Sequence, residues 1–174
     1  THPVLDGYPE GTTFVYRSAN QYAGRAAARL NTNIFVYAPE HFENKDDAMA
    51  YLKDLGLIKL IDEAVGSIVL VTPIGDSFDM ADVASYYALQ TAMLSQKEAK
   101  RLEDGTAIYY SDAEYFGGYG FEYFIGIDDG ATFFNNYIAP EIDFSGRMAG
   151  VLLFGGDMQR TRQPATFVPI ALVN

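Results

Sequence analysis

Phe121-Glu122-Tyr123-Phe124-Ile125-Gly126-Ile127-Asp128-Asp129-Gly130 is the stretch from which the fold of this chain is read. Residues 121–127 are aromatic, β-branched or apolar apart from Glu122, and they read as a strand. Asp128-Asp129-Gly130 reads as a tight turn, because aspartate and glycine tolerate dihedrals that most residues avoid. Residues 131–138 follow as a short helix. A strand that passes into a helix through so short a turn belongs to a sheet of parallel strands with helical crossovers.

The neighbouring segments repeat that alternation. Downstream, Arg147 to Phe154 reads as another buried strand, ending at Gly155-Gly156-Asp157, and residues 165–173 as a final extended piece. Upstream, Ser67-Ile68-Val69-Leu70-Val71-Thr72 is apolar and β-branched almost throughout, the pattern of a strand buried on both faces. Asn33 to Ala38 is a strand closed by Pro39. Asn44-Lys45-Asp46-Asp47 opens a helix, with acids at the positive end of its dipole. Leu57 to Ala64 continues as a second helix beyond Gly56. Met80, Val83, Ala84, Tyr87, Thr91 and Leu94 mark one face of a long helix, with Lys97, Lys100 and Arg101 expected in its last turns. Residues 1–30 hold a strand, Thr12 to Tyr16, and a loop region. The expected architecture is one α/β domain over residues 1–174. Its sheet is twisted and mostly parallel, with helices on both faces.

Composition narrows the function. Of 174 residues, 49% are hydrophobic and 20% charged, a balance that supports a packed core. The net charge of −11 repels phosphate backbones and no basic stripe is present, so nucleic acid is excluded as a partner. No apolar run approaches the length of about 18 residues needed to cross a bilayer. The absence of cysteine rules out disulfides, thiolate metal sites and cysteine nucleophiles. An acidic, tyrosine-rich chain of this kind is expected outside the cell or at its surface. There is neither a glycine-rich phosphate loop followed by Lys-Ser/Thr nor a G-x-G-x-x-G fingerprint, so no cofactor and no metal is expected.

Gly126-Ile127-Asp128-Asp129-Gly130 has the form small-x-nucleophile-x-small between a buried strand and a helix. That form is needed where a sharp turn holds its middle residue in strained geometry. With this motif, the order from the 33–39 strand through the 147–154 strand resembles the α/β-hydrolase fold from its third to its sixth strand. Within it, residues 34–73 look most like extracellular esterases of the polyhydroxybutyrate-depolymerase type. The resemblance implies hydrolysis of a small-molecule or polymeric ester. It places Asp128 at the nucleophile position, the N–H of Asp129 at the oxyanion, and Asp157 as a candidate orienting acid. Those esterases carry serine at the elbow. Aspartate there is the pattern of haloalkane dehalogenases and epoxide hydrolases, whose carboxylate attacks carbon directly.

A carboxylate nucleophile still needs a base for the water step, and in this fold a histidine late in the chain supplies it. Only His2 and His41 are present, both upstream of the elbow. The expectation is therefore an incomplete fold, an N-terminal portion completed by a second segment or chain. Other readings stand beside this one. Asp128 can be a plain strand–helix turn, and the domain a non-catalytic binding module that keeps the cleft. A flavodoxin-like domain, binding at its topological switch point, ranks third. Asp157 can cap its Gly-Gly loop, and Glu40 and His41 can be solvated. Asp76, Asp79 and Asp82 fit helix N-terminal acids better than calcium ligands. The aromatic run Tyr109, Tyr110, Tyr115, Phe116, Tyr119, Phe121 and Tyr123 can line a groove or pack beside the sheet.

Overall fold

The computed structural model describes residues 13–18, 31–64, 66–94, 96–101, 107–111, 120–140, 148–157 and 170–173. The strands are β1 (Thr13–Arg17), β2 (Asn31–Tyr37), β3 (Gly66–Val71), β4 (Gln96–Arg101), β5 (Ala107–Ser111), β6 (Gly120–Ile127), β7 (Met148–Phe154) and β8 (Ile170–Val173). The helices are α1 (Lys45–Asp54), α2 (Leu57–Ala64), α3 (Met80–Leu94) and α4 (Asp129–Phe133). A π-helical turn, Phe134–Ile138, continues α4. His2, the aromatic residues 115–119 and residues 165–169 lie outside the described residues.

The molecule is of the α/β class. Six strands form one sheet in the order β1-β3-β2-β6-β7-β8. β1 runs antiparallel to β3, and every other pairing in that sheet is parallel. From β2 the chain moves one way, through α1 and α2, to β3. From β6 it moves the other way, through α4, to β7. The topological switch point thus falls between β2 and β6, and such a crevice at the carboxyl ends of strands is where open α/β sheets bind ligands.

Alternation along the central strands sorts the core into two clusters. Phe35, Tyr37, Val69, Val71 and Phe124 pack with Phe78, Tyr86, Leu89, Phe133 and Phe134. Ile34, Val36, Ile68 and Leu70 pack with Ala48, Leu52, Leu57 and Ile61 of α1 and α2. β3 is buried along its whole length, as its unbroken apolar run requires. Asn44 caps α1, its side chain accepting the Asp47 N–H at 2.9 Å. Tyr16 ties β1 to α2 by donating to Asp62 at 2.8 Å.

Two expectations around α3 are corrected. Lys97, Lys100 and Arg101 are not in its last turns. They belong to β4, which pairs with β5 as a separate antiparallel ribbon. Pairing with β5 overrides the helical propensity of Gln-Lys-Glu-Ala-Lys-Arg. The buried stripe also differs from the expected face. Met80, Ala84 and Tyr87 are exposed, whereas Asp82, Tyr86 and Leu89 are buried, with Val83 partly so. An apolar count misses this phase because one buried member is an aspartate satisfied by backbone N–H groups.

Tyr86 is fully buried, and its hydroxyl has no hydrogen-bond partner among the described residues. Removing an unpaired buried hydroxyl should cost nothing, so Tyr86→Phe is expected to be neutral or stabilising by about 1 kcal/mol in chemical denaturation. Burial, then Glu122 and Tyr87, raise the Tyr86 pKa. The folded chain therefore keeps a proton that the unfolded chain releases above about pH 10, so this contribution to stability is present below that pH and fades as pH rises. Tyr86→Phe should flatten the alkaline loss.

Candidate active site at the elbow

The turn after β6 is held in an unusual conformation. Asp128 has φ 46° and ψ −107°, and among the described residues it is the only non-glycine with positive φ. These dihedrals lie outside the small left-handed well that aspartate tolerates, and such strain persists only where surrounding contacts impose it. Those contacts are present on both sides. The Asp128 N–H donates to the Phe154 carbonyl at the end of β7, at 2.8 Å. The Asp128 carbonyl accepts from the N–H groups of Ala131 (3.0 Å) and Thr132 (3.1 Å) in α4.

The flanking glycines are required by close approach. A β-carbon at Gly126 would lie 2.8 Å from the Ala131 Cα and 2.9 Å from its nitrogen. At Gly130 it would overlap the carbonyl oxygen of Tyr37, at the end of β2. The spacing quoted from the sequence is therefore the spacing at which helix and strands touch. Beneath the turn, Tyr37 stacks on Phe124 (4.8 Å) and Phe133 (5.7 Å).

The carboxyl ends of the parallel strands gather the candidate residues. Tyr37 of β2 pairs with Gly126 of β6, so Glu40 and His41, both exposed, follow β2 on the loop beside the elbow. Asp128 is exposed on the rim. Asp129 opens α4, the first residue of that helix. Its side chain is committed elsewhere, accepting the Phe78 N–H at 2.6 Å. Asp157, after β7, is exposed and joined to α4 through its N–H, which donates to Thr132 Oγ1 at 2.6 Å. Asp128, Asp129 and Asp157 are thus on one edge of the sheet.

Asp79 and Asp82 serve as the helix-terminal acids expected of them. Asp79 accepts the Ala81 N–H at 2.8 Å, and Asp82 accepts the N–H groups of Asp79 (2.9 Å) and Ile74 (3.1 Å). Burial raises the Asp82 pKa against the opposing pull of these hydrogen bonds.

The residue that sequence reasoning missed is Tyr51. Helical spacing marks it as a core position of α1, and it does pack beside Phe42, ring to ring at 5.2 Å. Its hydroxyl also hydrogen-bonds to Glu40, and it feels the Asp128 carboxylate. Burial, Glu40 and then Asp128 together push its pKa well above the usual tyrosine value. Apolar spacing alone does not show this, because the signal is a carboxylate on the loop between β2 and α1. Gly155 and Gly156, at φ 63° and 80°, were legible as a turn but not as the bed of Asp128, whose Oδ1 lies 2.5 Å from where a Gly155 β-carbon would be.

The rim thus presents a carboxylate on a strained backbone, with a Tyr51–Glu40 pair alongside. Among the described residues no cluster of three or more His, Cys, Asp or Glu could hold a metal ion, and no helix is long and apolar enough to cross a membrane. No protein-family model, curated protein or solved structure matches the chain.

Proposed function

We propose that the chain forms an α/β-hydrolase-like domain, with helices on both faces of its sheet, and that Asp128 stands at the nucleophile position of an exported ester hydrolase. The observation that carries this reading is the strained Asp128 backbone between a central parallel strand and a helix. A simple turn has no need of such strain, whereas a nucleophile lifted clear of the sheet does. The strand order, with β1 antiparallel at one edge and the switch point at the elbow, supports it. The carboxylate attacks the electrophilic carbon of the substrate, the leaving oxygen departs, and water releases the covalent intermediate. Glu40 and His41 are the described groups beside the elbow from which a base for that water could come. A later histidine from further chain is the alternative source.

An apolar groove of about 660 Å³ accompanies this reading. Ile34, Leu60, Tyr123, Ile125 and Leu152 are among the residues that line it, away from Asp128.

The test is turnover of a panel of p-nitrophenyl esters by the full-length protein and by Asp128→Asn. Equal turnover by the two would remove Asp128 from the chemistry. One observation favours the second reading, a binding module without catalysis: the Asp128 carboxylate lies against Gly155. That reading expects no ester turnover and a ligand-dependent thermal shift.

A further inference from the structure

The two faces of the sheet are covered unequally. An interior parallel strand is ordinarily buried on both faces. β6 and β7 are buried on one. Glu122, Phe124 and Gly126 of β6 are buried, whereas Phe121 and Tyr123 are exposed. In β7, Val151 and Leu153 are buried, while Gly150 and Leu152 are partly exposed. The buried side packs with Phe133 and Phe134. On the opposite side α1 and α2 pack against β2 and β3, and the strip beside α2 that reaches from β2 to β8 is the groove of about 660 Å³.

Register shows how the groove is cut. Ile34, Tyr123 and Gly150 stand in one row across β2, β6 and β7, and Leu152 faces Ala171 across β7 and β8. Large side chains thus give way to glycine and alanine toward the edge of the sheet. Leu60 of α2, 51% exposed, lines the groove from above the sheet. Among the described residues no charged side chain lines it, and its polar side chains are those of Thr32 and Tyr123.

We propose that this groove binds the alkyl chain of a single-chain amphiphile with an uncharged head, such as a long-chain alcohol or a monoacylglycerol. Its volume falls within the roughly 300–1,000 Å³ of small-molecule sites. Crossing four strands gives it a length of about 14 Å, which suits an extended chain. No cation in the lining neutralises a carboxylate, and the net charge of −11 repels one. The Thr32 and Tyr123 hydroxyls suit a neutral polar head. A second copy of the chain would need a larger surface. A stable interface takes about 20–30 residues from each partner, and twelve line the groove. Asp128 is not one of them, so the site stands apart from the hydrolase reading.

Nile red, an uncharged apolar dye, tests the site on the full chain. Its fluorescence should rise with the protein, and 1-decanol should displace it at concentrations at least about tenfold lower than decanoate, whose charge finds no partner. Ala171→Phe fills the groove from an exposed position, and Leu60→Asp places a charge in its lining. Each should weaken dye and decanol binding by about tenfold or more. Met80→Asp, at an exposed position of α3, should leave binding within about twofold. Thermal melts show which variants are folded, and one folded groove variant suffices. No dye binding by the unaltered protein, or unchanged binding in a folded groove variant, would overturn the proposal. So would a dimer in light scattering that Leu60→Asp dissociates, because the groove would then hold a second copy. Cosedimentation with phosphatidylcholine vesicles that Leu60→Asp abolishes would also overturn it, in favour of a membrane surface. Decanol binding by a protein that turns over no ester leaves the groove standing and removes only the reading of the elbow.

Discussion

Gly130→Ala is expected to destabilise the protein by at least about 3 kcal/mol, near the upper end of the cost of overpacking a close-packed site. A β-carbon there collides with the backbone carbonyl of Tyr37, and backbone cannot swing aside as a long side chain can. Relief would require α4 to move off β2. Tyr37, however, is stacked between Phe124 and Phe133, and the Asp128 carbonyl already binds Ala131 and Thr132. Displacing the helix would therefore break the aromatic stack and the turn together. For a chain of this length the loss corresponds to a fall in Tm of roughly 6–12 °C. Gly75→Ala is the matched control. It meets nothing within 4 Å and its φ is not in the positive range, so it should be neutral or slightly stabilising. Urea titration of both variants checks the contrast. Equal midpoints would mean that α4 does not approach β2 as described.

The same close approach explains why this part of the fold was legible in the sequence. Gly126 and Gly130 are needed for contacts that follow from the strand–turn–helix path itself, so their spacing carries the geometry. α2 spans Leu57–Ala64 as read, because Gly56, at φ 75°, separates it from α1. β3 was equally plain, since burial on both faces leaves no polar alternation to confuse it. Legibility stopped where the deciding partner is a hydrogen-bonding group or a strand that apolar periodicity does not record. Asp82 is buried through backbone N–H groups of its own loop, so apolar periodicity set α3 on the wrong stripe. Gln96–Arg101 is a strand only by virtue of β5. Tyr51 meets Glu40 across the rim, and Asp129 meets Phe78, a residue 51 positions away. In the candidate site, then, the elbow was local information and its surroundings were tertiary.

At Asp128 stability and chemistry should part company. Asp128→Gly replaces a residue held at φ 46°, ψ −107° by one for which that region carries little cost. The strain released is of order 1–3 kcal/mol, and glycine's extra unfolded-state entropy returns up to about 1 kcal/mol of it. The N–H to Phe154 and the carbonyl bonds to α4 survive, because they are backbone bonds. A net gain of about 1 kcal/mol, or 2–4 °C in Tm, is therefore expected. Asp128→Asn tolerates the same backbone as aspartate and should leave stability within about 0.5 kcal/mol. On the hydrolase reading both variants lose the attacking oxygen, and turnover of any p-nitrophenyl ester accepted by the unaltered protein should fall at least about a thousandfold. A carboxylate kept for stability gives the opposite pattern, with Asp128→Gly less stable than the unaltered protein and turnover unmoved. Thermal melts beside ester kinetics on the three proteins separate the two, because strain retained at the expense of stability is the mark of a position held for function.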